Sequence, residues 1–438
     1  MSSTVKIEDQ KITGLNRFLY LVIFIGIVFR FLYPFLVNPM NHLFSDPGRH
    51  YQNIFPADFD KTAESILDPP LPQLWLRAAL ALFTDTKCGV ALYFALLCVS
   101  TPWFWYRWAR EVFPNKRQAL IFFAVLVLLP SWLGIYSYFM DETLVLPLLG
   151  LALWFSWRAM RKNTVGSVLI ATFLWGLTLS TKLNMVFELI IVFPYLLFSF
   201  WQHSGNRIKT YVTTIFCLLM LFACYLIFPL WTYLGIGSAW LFPVGSGATA
   251  RSYYLSGCRT VRAAFTRNGK IFKESAEFAS PAVFEDTFEP LFDWVTCRSG
   301  LYTVKIPCDQ KISFIVPAPN PSLSKRLNYM AESALHFFCA ASWPDTSNDD
   351  FVQIAQADMR WIWSLLTLFV VILSIRKKQM KQLLIVLCLG TALLYIACGC
   401  AIIEGRYRKP WEGIVIAAFI FLNSYSKNEI KNMADNKV

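Results

Sequence analysis

Long apolar runs recur throughout the sequence and constrain its fold more than any other feature. A transmembrane helix needs about 20 predominantly apolar residues, and ten runs reach or approach that length. The runs cover roughly 18–37, 88–106, 118–136, 142–158, 164–181, 184–200, 211–233, 358–375, 383–402 and 410–425. Only 16% of the residues are charged, whereas soluble domains carry about 25%. The sequence therefore predicts an all-α polytopic membrane protein with about ten transmembrane helices.

Two segments stand apart from these runs. The apolar stretch from Leu71 to Phe83 is short, contains Arg77 and follows several prolines, which favours an interfacial helix. The hydrophilic stretch 234–357 is too long to be a plain connector. The predicted organisation is an N-terminal transmembrane module over 1–233 with a catalytic first external loop at 38–87, an extramembrane loop domain over 234–357, and a C-terminal transmembrane module over 358–438.

Basic residues distinguish the two sides of the predicted bundle. The connections after the second, fourth, sixth and eighth runs are short and basic, and they have the same parity as the lysine-bearing termini. Short basic connections are retained on the cytoplasmic side of a membrane. This distribution accounts for the net charge of +12, so we expect a lipid bilayer as partner and no nucleic acid.

The remaining polar motifs all fall on the opposite, non-cytoplasmic side. They are SDPGRHY, DPPLPQLWL, YFMDE, GLTLSTK and EGRYRKP. Charges gathered at one membrane interface are more typical of an active site than of scattered structural positions. The candidate site residues in these motifs are Asp46, Arg49, His50, Asp141, Glu142, Lys182, Glu404, Arg406, Tyr407 and Arg408.

In this order, the motifs resemble those of the GT-C membrane glycosyltransferases, and most closely the protein O-mannosyltransferases and lipid A aminoarabinose transferases. Those enzymes carry an acidic residue in the first external loop, an H-P-P-L-like juxtamembrane segment, a D-x-x-L-like span start and a G-L-x-x-x-T-K-like turn. Many bacterial members add E-x-R-Y-R-x-P before the last span. The matching positions are Asp46, Pro69 to Leu71, Asp141, Gly176 to Lys182, and Glu404 to Pro410. The first motif lacks the paired D-E of the family and Asp68 replaces its His or Lys, which leaves the branch open.

The resemblance implies a GT-C-type bundle with juxtamembrane helices in the first external loop and a large external loop. It also implies transfer of a sugar, with inversion, from a polyprenyl-phosphate donor to a hydroxyl of a lipid, glycan or protein acceptor. Asp46 is then the general base, while Arg406, Arg408 and Lys182 hold the leaving phosphate. The other candidate residues are expected to contact substrate. They are Arg49, His50, Asp141, Glu142, Glu404 and Tyr407.

Several alternatives remain open from the sequence. One is a polysaccharide or oligosaccharide transferase or ligase of the same fold, and another is a secondary transporter or flippase, although no internal repeat typical of transporters is evident. No cofactor and no metal ligand set is expected, while metal dependence stays open because three carboxylates could converge. The expected location is a bacterial inner membrane with a periplasmic site, or the endoplasmic reticulum in a eukaryote.

Overall fold

The structure, a computed structural model, describes most of both predicted transmembrane modules and little of the loop between them. The described residues are 2–43, 45–52, 69–236, 261–263, 266–267, 270–271, 302–304, 323–339, 352, 355, 359–398 and 405–424. The predicted loop domain over 234–357 lies mainly outside these residues, and the proposed division into modules stays a prediction.

The described residues are almost entirely helical. The α-helices are α1 (Ser2–Leu36), α2 (Ser45–Gln52), α3 (Pro70–Phe83), α4 (Lys87–Val112), α5 (Lys116–Leu128), α6 (Pro130–Leu133), α7 (Glu142–Lys162), α8 (Val165–Thr181), α9 (Val186–His203), α10 (Arg207–Ile236), α11 (Leu323–Cys339), α12 (Ile362–Arg376), α13 (Leu383–Cys398) and α14 (Lys409–Ser424). Short 3-10 helices are Pro39–Asn41, Gly134–Ser137, Leu183–Met185, Met359–Trp361 and Gly405–Arg408. Within the loop, β1 (Val261–Ala263) pairs in parallel with β4 (Tyr302–Val304), and β2 (Thr266–Arg267) pairs antiparallel with β3 (Lys270–Ile271).

The prediction of a polytopic helical membrane protein agrees with these helices, but the count of ten spans is not established. By length and composition, five helical segments of the described chain are able to cross a membrane. They are Asn16–Asn41, Lys87–Val112, Glu142–Lys162, Leu183–His203 and Arg207–Trp231. Helices α8, α12 and α13 are apolar but have only 15 to 17 residues. Helix α3 occupies the range predicted for an interfacial helix.

A break between α5 and α6 adds a sixth candidate span. Lys116–Leu128 and Pro130–Ser137 meet at an angle of 62°. Pro130 has no N–H to donate to the Leu126 carbonyl one turn earlier. The buried Arg30 of α1 supplies donors instead, with Nη2 2.6 Å from Leu126 O and Nε 2.9 Å from Val127 O. Arg30 therefore stabilises the bend, and its charge is satisfied inside the bundle.

Buried tryptophans join the two ends of the chain into one core. Trp105 of α4 donates from Nε1 to Leu146 O of α7 at 2.8 Å. A Cβ at Gly413 of α14 would lie 2.6 Å from Trp105 and 2.7 Å from Trp132, so only glycine allows this approach. Helix α14 also contacts α5 and α7. This packing brings the turn before α14 close to the start of α7.

Candidate active site

Segments that the sequence predicted to be external meet at one end of the helical bundle. Asn38 donates to Lys87 O at 2.8 Å, and Lys87 donates to Asn41 Oδ1 at 2.8 Å, which ties together the two ends of the first external loop. The His42 ring stacks on Tyr138 at 4.7 Å between centroids. The first loop therefore packs against the segment that leads into α7.

Helix α2 is fastened to the same end through Tyr51. The Tyr51 hydroxyl donates to Asp85 Oδ1 at 2.8 Å, and the Tyr51 ring lies 5.1 Å from the ring of Phe139. Partial burial, together with the hydrogen bond and negative charge of Asp85, raises the pKa of Tyr51 to about 12. These contacts place His50, the preceding residue of α2, beside the start of α7.

The adjacent acids Asp141 and Glu142 enter different surroundings. Asp141 makes no side-chain cap to α7, and its Oδ1 lies 3.9 Å from Nδ1 of the buried His50. Glu142 is fully buried and forms an ion pair with Lys182, while Nε of Arg406 lies 3.9 Å from the same Oε1 atom. At the start of α7, Asp141 therefore lies beside His50, whereas the next residue, Glu142, lies among the cations Lys182 and Arg406.

Lys182 reaches Glu142 because α8 ends at this position. Its backbone N–H closes the last turn by donating to Thr178 O at 3.0 Å, and its backbone then becomes extended. One end of the GLTLSTK motif has a packing role, because a Cβ at Gly176 would lie 2.5 Å from Cys224 Sγ of α10. The motif thus combines a close helix contact with a lysine that projects from the helix end.

The 3-10 turn before α14 completes the charged cluster. Tyr407 places its ring 4.7 Å from Lys182 Nζ and 5.6 Å from Arg406 Cζ. Cations near an aromatic face are attracted to its quadrupole, so Tyr407 helps to order both side chains. Glu142, Lys182, Arg406 and Tyr407 form what we call the Glu142 cluster, assembled from three segments far apart in sequence.

Arg408 enters a different network, although it lies two residues from Arg406. It is buried, pairs with Glu412 at 3.2 Å and donates to Phe337 O at 3.4 Å. Glu412 also accepts from Ser131 Oγ at 2.6 Å. These residues, which we call the Arg408 network, connect α14 to α6 and α11.

A cleft beside Asp141 contains a residue that the sequence analysis did not single out. It holds about 350 Å³ of empty space, including the part open to solvent, and is lined by His50, Gln73 and Asp141 among others. Gln73 is 3% exposed. In the sequence, the only indication of a role for Gln73 is that this polar residue directly follows the proline-rich start of an otherwise apolar helix.

A second, largely apolar cavity of about 350 Å³ is lined in part by Leu183, the residue that follows Lys182 in the sequence. It includes space open to solvent and is lined by the start of α3, the end of α8 and one face of α10. Its lining residues are Pro69, Pro70, Leu179, Ser180, Leu183, Cys224, Tyr225, Ile227 and Phe228. The cavity offers an apolar surface formed partly by residues that flank Lys182 in the sequence, while the Lys182 side chain itself pairs with Glu142.

The structure does not describe every predicted site residue. Asp68 and Glu404 lie outside the described residues, as do the side chains of Asp46 and Arg49. Residues 46 and 50 are four apart in α2, a spacing that puts two positions on the same face of a helix. Within the described chain, no group of three or more His, Cys, Asp or Glu side chains is arranged to hold a metal ion.

The bundle with charged groups gathered at one end defines a polytopic membrane protein with a polar site at a helix-end interface. A model of the dolichyl-phosphate-mannose-protein mannosyltransferase family matches residues 68–228. The match confirms the resemblance over that region and indicates a membrane glycosyltransferase of the GT-C type. It includes Asp141, Glu142 and Lys182 but not Asp46 or the EGRYRKP motif. Comparison with curated proteins gives no match.

Proposed function

We propose that this protein transfers a sugar, with inversion, from a polyprenyl-phosphate donor to an acceptor hydroxyl at the non-cytoplasmic face of a membrane. The observation that carries the proposal is the Glu142 cluster, in which Lys182 and Arg406 converge on one buried carboxylate. The family match over residues 68–228 supports the same class of reaction. The expected location is a bacterial inner membrane or the endoplasmic reticulum.

The cations of the cluster are suited to an anionic leaving group. Negative charge develops on the phosphate as its bond to the sugar breaks, and preorganised cations stabilise that charge strongly in a site shielded from water. The Arg406 guanidinium suits paired phosphate oxygens, whereas Lys182 contributes a compact charge. Glu142 keeps both cations ordered before the donor binds.

The apolar cavity lined by Ser180 and Leu183, close in sequence to Lys182, supports a lipid-linked donor. Its walls combine prolines, aliphatic side chains and Phe228, which are compatible with the first isoprene units of a polyprenyl chain. A donor held there places its phosphate near the membrane interface, where Lys182 ends α8. A lipid phosphate also needs no glycine-rich nucleotide loop.

Asp46 is our candidate for the general base. It lies in α2, which contacts Asp85 and Phe139 through Tyr51 and approaches Asp141 through His50. General-base assistance typically contributes about 10²–10⁴-fold in rate. We expect His50 and Asp141 to contact the substrate as well, because His50 lies four positions after Asp46 in α2 and its Nδ1 is 3.9 Å from Asp141 Oδ1.

The experiment is a release assay with purified protein in nanodiscs. Polyprenyl phosphates carrying mannose, glucose, galactose or 4-amino-4-deoxyarabinose are supplied together with lipid, glycan and serine-containing peptide acceptors, and released polyprenyl phosphate is measured. We expect release from at least one donor and a loss of about 100-fold or more in Asp46→Asn. Glu111→Gln, at the other end of the bundle, is the matched control. Release from none of the donors would contradict the proposed transfer. Full activity of Asp46→Asn would contradict the assignment of Asp46 as the general base.

A further inference from the structure

Gln73 is the most unusual polar residue in the cleft beside Asp141. It is 3% exposed, and among the residues that the structure describes neither Nε2 nor Oε1 has a hydrogen-bond partner. Buried side-chain amides are nearly always paired, and leaving one unpaired is unfavourable. An amide kept in this state is typical of a position where the partner is a ligand.

The surroundings of Gln73 indicate the chemistry of that ligand. His50 and Asp141 contribute polar groups from α2 and from the start of α7, and four aromatic side chains contribute apolar walls. The aromatic residues are Trp75, Tyr93, Phe94 and Phe139. A mostly apolar cleft with a few convergent polar groups is the usual form of a small-molecule site. An amide carries both donors and an acceptor, which two neighbouring hydroxyls of a sugar ring require.

We propose that this cleft is a monosaccharide subsite in which the Gln73 amide binds two adjacent ring hydroxyls. The aromatic walls pack on the apolar face of the ring, while His50 and Asp141 bind a further hydroxyl. The peptide that joins Asp141 to Glu142 places the subsite next to the Glu142 cluster. The assignment rests on the proposed glycosyl transfer for its biological meaning, but its ligand chemistry is tested independently.

Binding is measured by saturation-transfer NMR on the full chain in nanodiscs. The probes are methyl glycosides of mannose, glucose, galactose and arabinose, with 2-(hydroxymethyl)tetrahydropyran as a ring that lacks neighbouring hydroxyls. We expect at least one glycoside to bind and the tetrahydropyran not to bind. Gln73→Leu is expected to weaken the binding at least tenfold, whereas Gln202→Leu, at an exposed position near the end of α9, leaves it unchanged.

A stability measurement separates this role from a structural one. Leucine has a similar volume and removes a buried amide that has no partner in the described part of the chain, so Gln73→Leu is expected to keep or raise the midpoint of thermal unfolding. A lower midpoint would assign the amide a structural partner and overturn the proposal. Equal glycoside binding by wild type and Gln73→Leu, or no binding by any glycoside, would also overturn it.

A transfer assay then distinguishes the two sources of the sugar. If the subsite holds the acceptor, the glycoside that binds becomes glycosylated; if it holds the donor sugar, the glycoside stays unmodified and competes with the donor. In either arm Gln73→Leu lowers kcat/KM at least tenfold. Glycoside binding without release of polyprenyl phosphate would contradict the proposed transfer while leaving the subsite in place.

Discussion

Arg406 and Arg408 lie two residues apart in one 3-10 turn and enter two different buried clusters. Arg406 lies by Glu142 at the end where the external segments meet, alongside Lys182 and Tyr407. Arg408 pairs with Glu412 inside the bundle. One motif therefore supplies a cation to the candidate site through Arg406 and stabilises the packing of α14 through Arg408. The sequence-based role of Arg408 in phosphate binding stays a prediction, and its observed partners favour a structural role.

The largest effect is expected when the Arg408 network is broken. Arg408→Ala leaves Glu412 as a buried charge without its arginine, and such a change destabilises a protein by about 3–5 kcal/mol. Thermal unfolding of the protein in detergent measures this loss. The double variant Arg408→Met, Glu412→Leu is expected to recover part of the stability, because it removes both members of the ion pair while the buried Lys409 keeps its hydrogen bond to Ser131 O. A single variant as stable as wild type would show that the network does not fasten α14.

Arg406 is expected to affect the reaction and not the fold. Arg406→Gln leaves Glu142 its ion pair with Lys182, so the unfolding midpoint should change little. Loss of a stabilising cation lowers kcat by about 10²–10³-fold. Polyprenyl phosphate release measures the effect, with Arg110→Gln on the basic side as control. If Arg406→Gln unfolded as readily as Arg408→Ala, the contrast between the two arginines would disappear.

Arg30 differs from both arginines, because it donates to backbone carbonyls and has no carboxylate partner among the residues that the structure describes. Arg30→Met leaves the carbonyls of Leu126 and Val127 without these donors at the α5–α6 bend. We expect destabilisation of about 1.5–3 kcal/mol, the range for hydrogen bonds to charged groups. Thermal unfolding checks this value against Arg17→Met, an exposed position of the same helix. Equal midpoints of thermal unfolding for the two variants would show that Arg30 does not stabilise the bend between α5 and α6.

The smallest effect concerns Tyr51, which fastens α2 at the site end. Its pKa is raised to about 12 in the folded protein, so the neutral phenol is favoured by folding. The contribution to stability is therefore fully present below about pH 10 and is lost as the pH rises toward about 12. The stability difference between wild type and Tyr51→Phe should shrink over this range. Tyr20→Phe, on an exposed face of α1, serves as control, and a difference independent of pH would contradict the prediction.

The sequence predicted the helical membrane class and a helix near residues 71–83 from the length and spacing of apolar runs, and the grouping of several polar motifs from the loop charges, while the interfacial position of that helix stays a prediction. It did not predict that Asp141 and Glu142 diverge, since neighbouring helix positions point about 100° apart and the choice depends on tertiary packing. Gln73 was missed because its burial, with no hydrogen-bond partner among the described residues, is visible only in three dimensions. Arg408 and Glu412 have the i, i+4 spacing of a helical ion pair. The sequence therefore indicated this pair, but the resemblance of EGRYRKP to a family motif suggested phosphate binding for Arg408.

The most direct test of the account measures binding of undecaprenyl phosphate, which is independent of the sugar transferred. Wild type, Arg406→Gln and the double variant Arg408→Met, Glu412→Leu are compared in nanodiscs by tryptophan fluorescence. We expect undecaprenyl phosphate to bind Arg406→Gln about tenfold or more weakly than wild type, equivalent to about 1.4 kcal/mol, and to bind the double variant near-normally. Normal binding by Arg406→Gln together with loss in the double variant would contradict the assignment of the Glu142 cluster as the phosphate site.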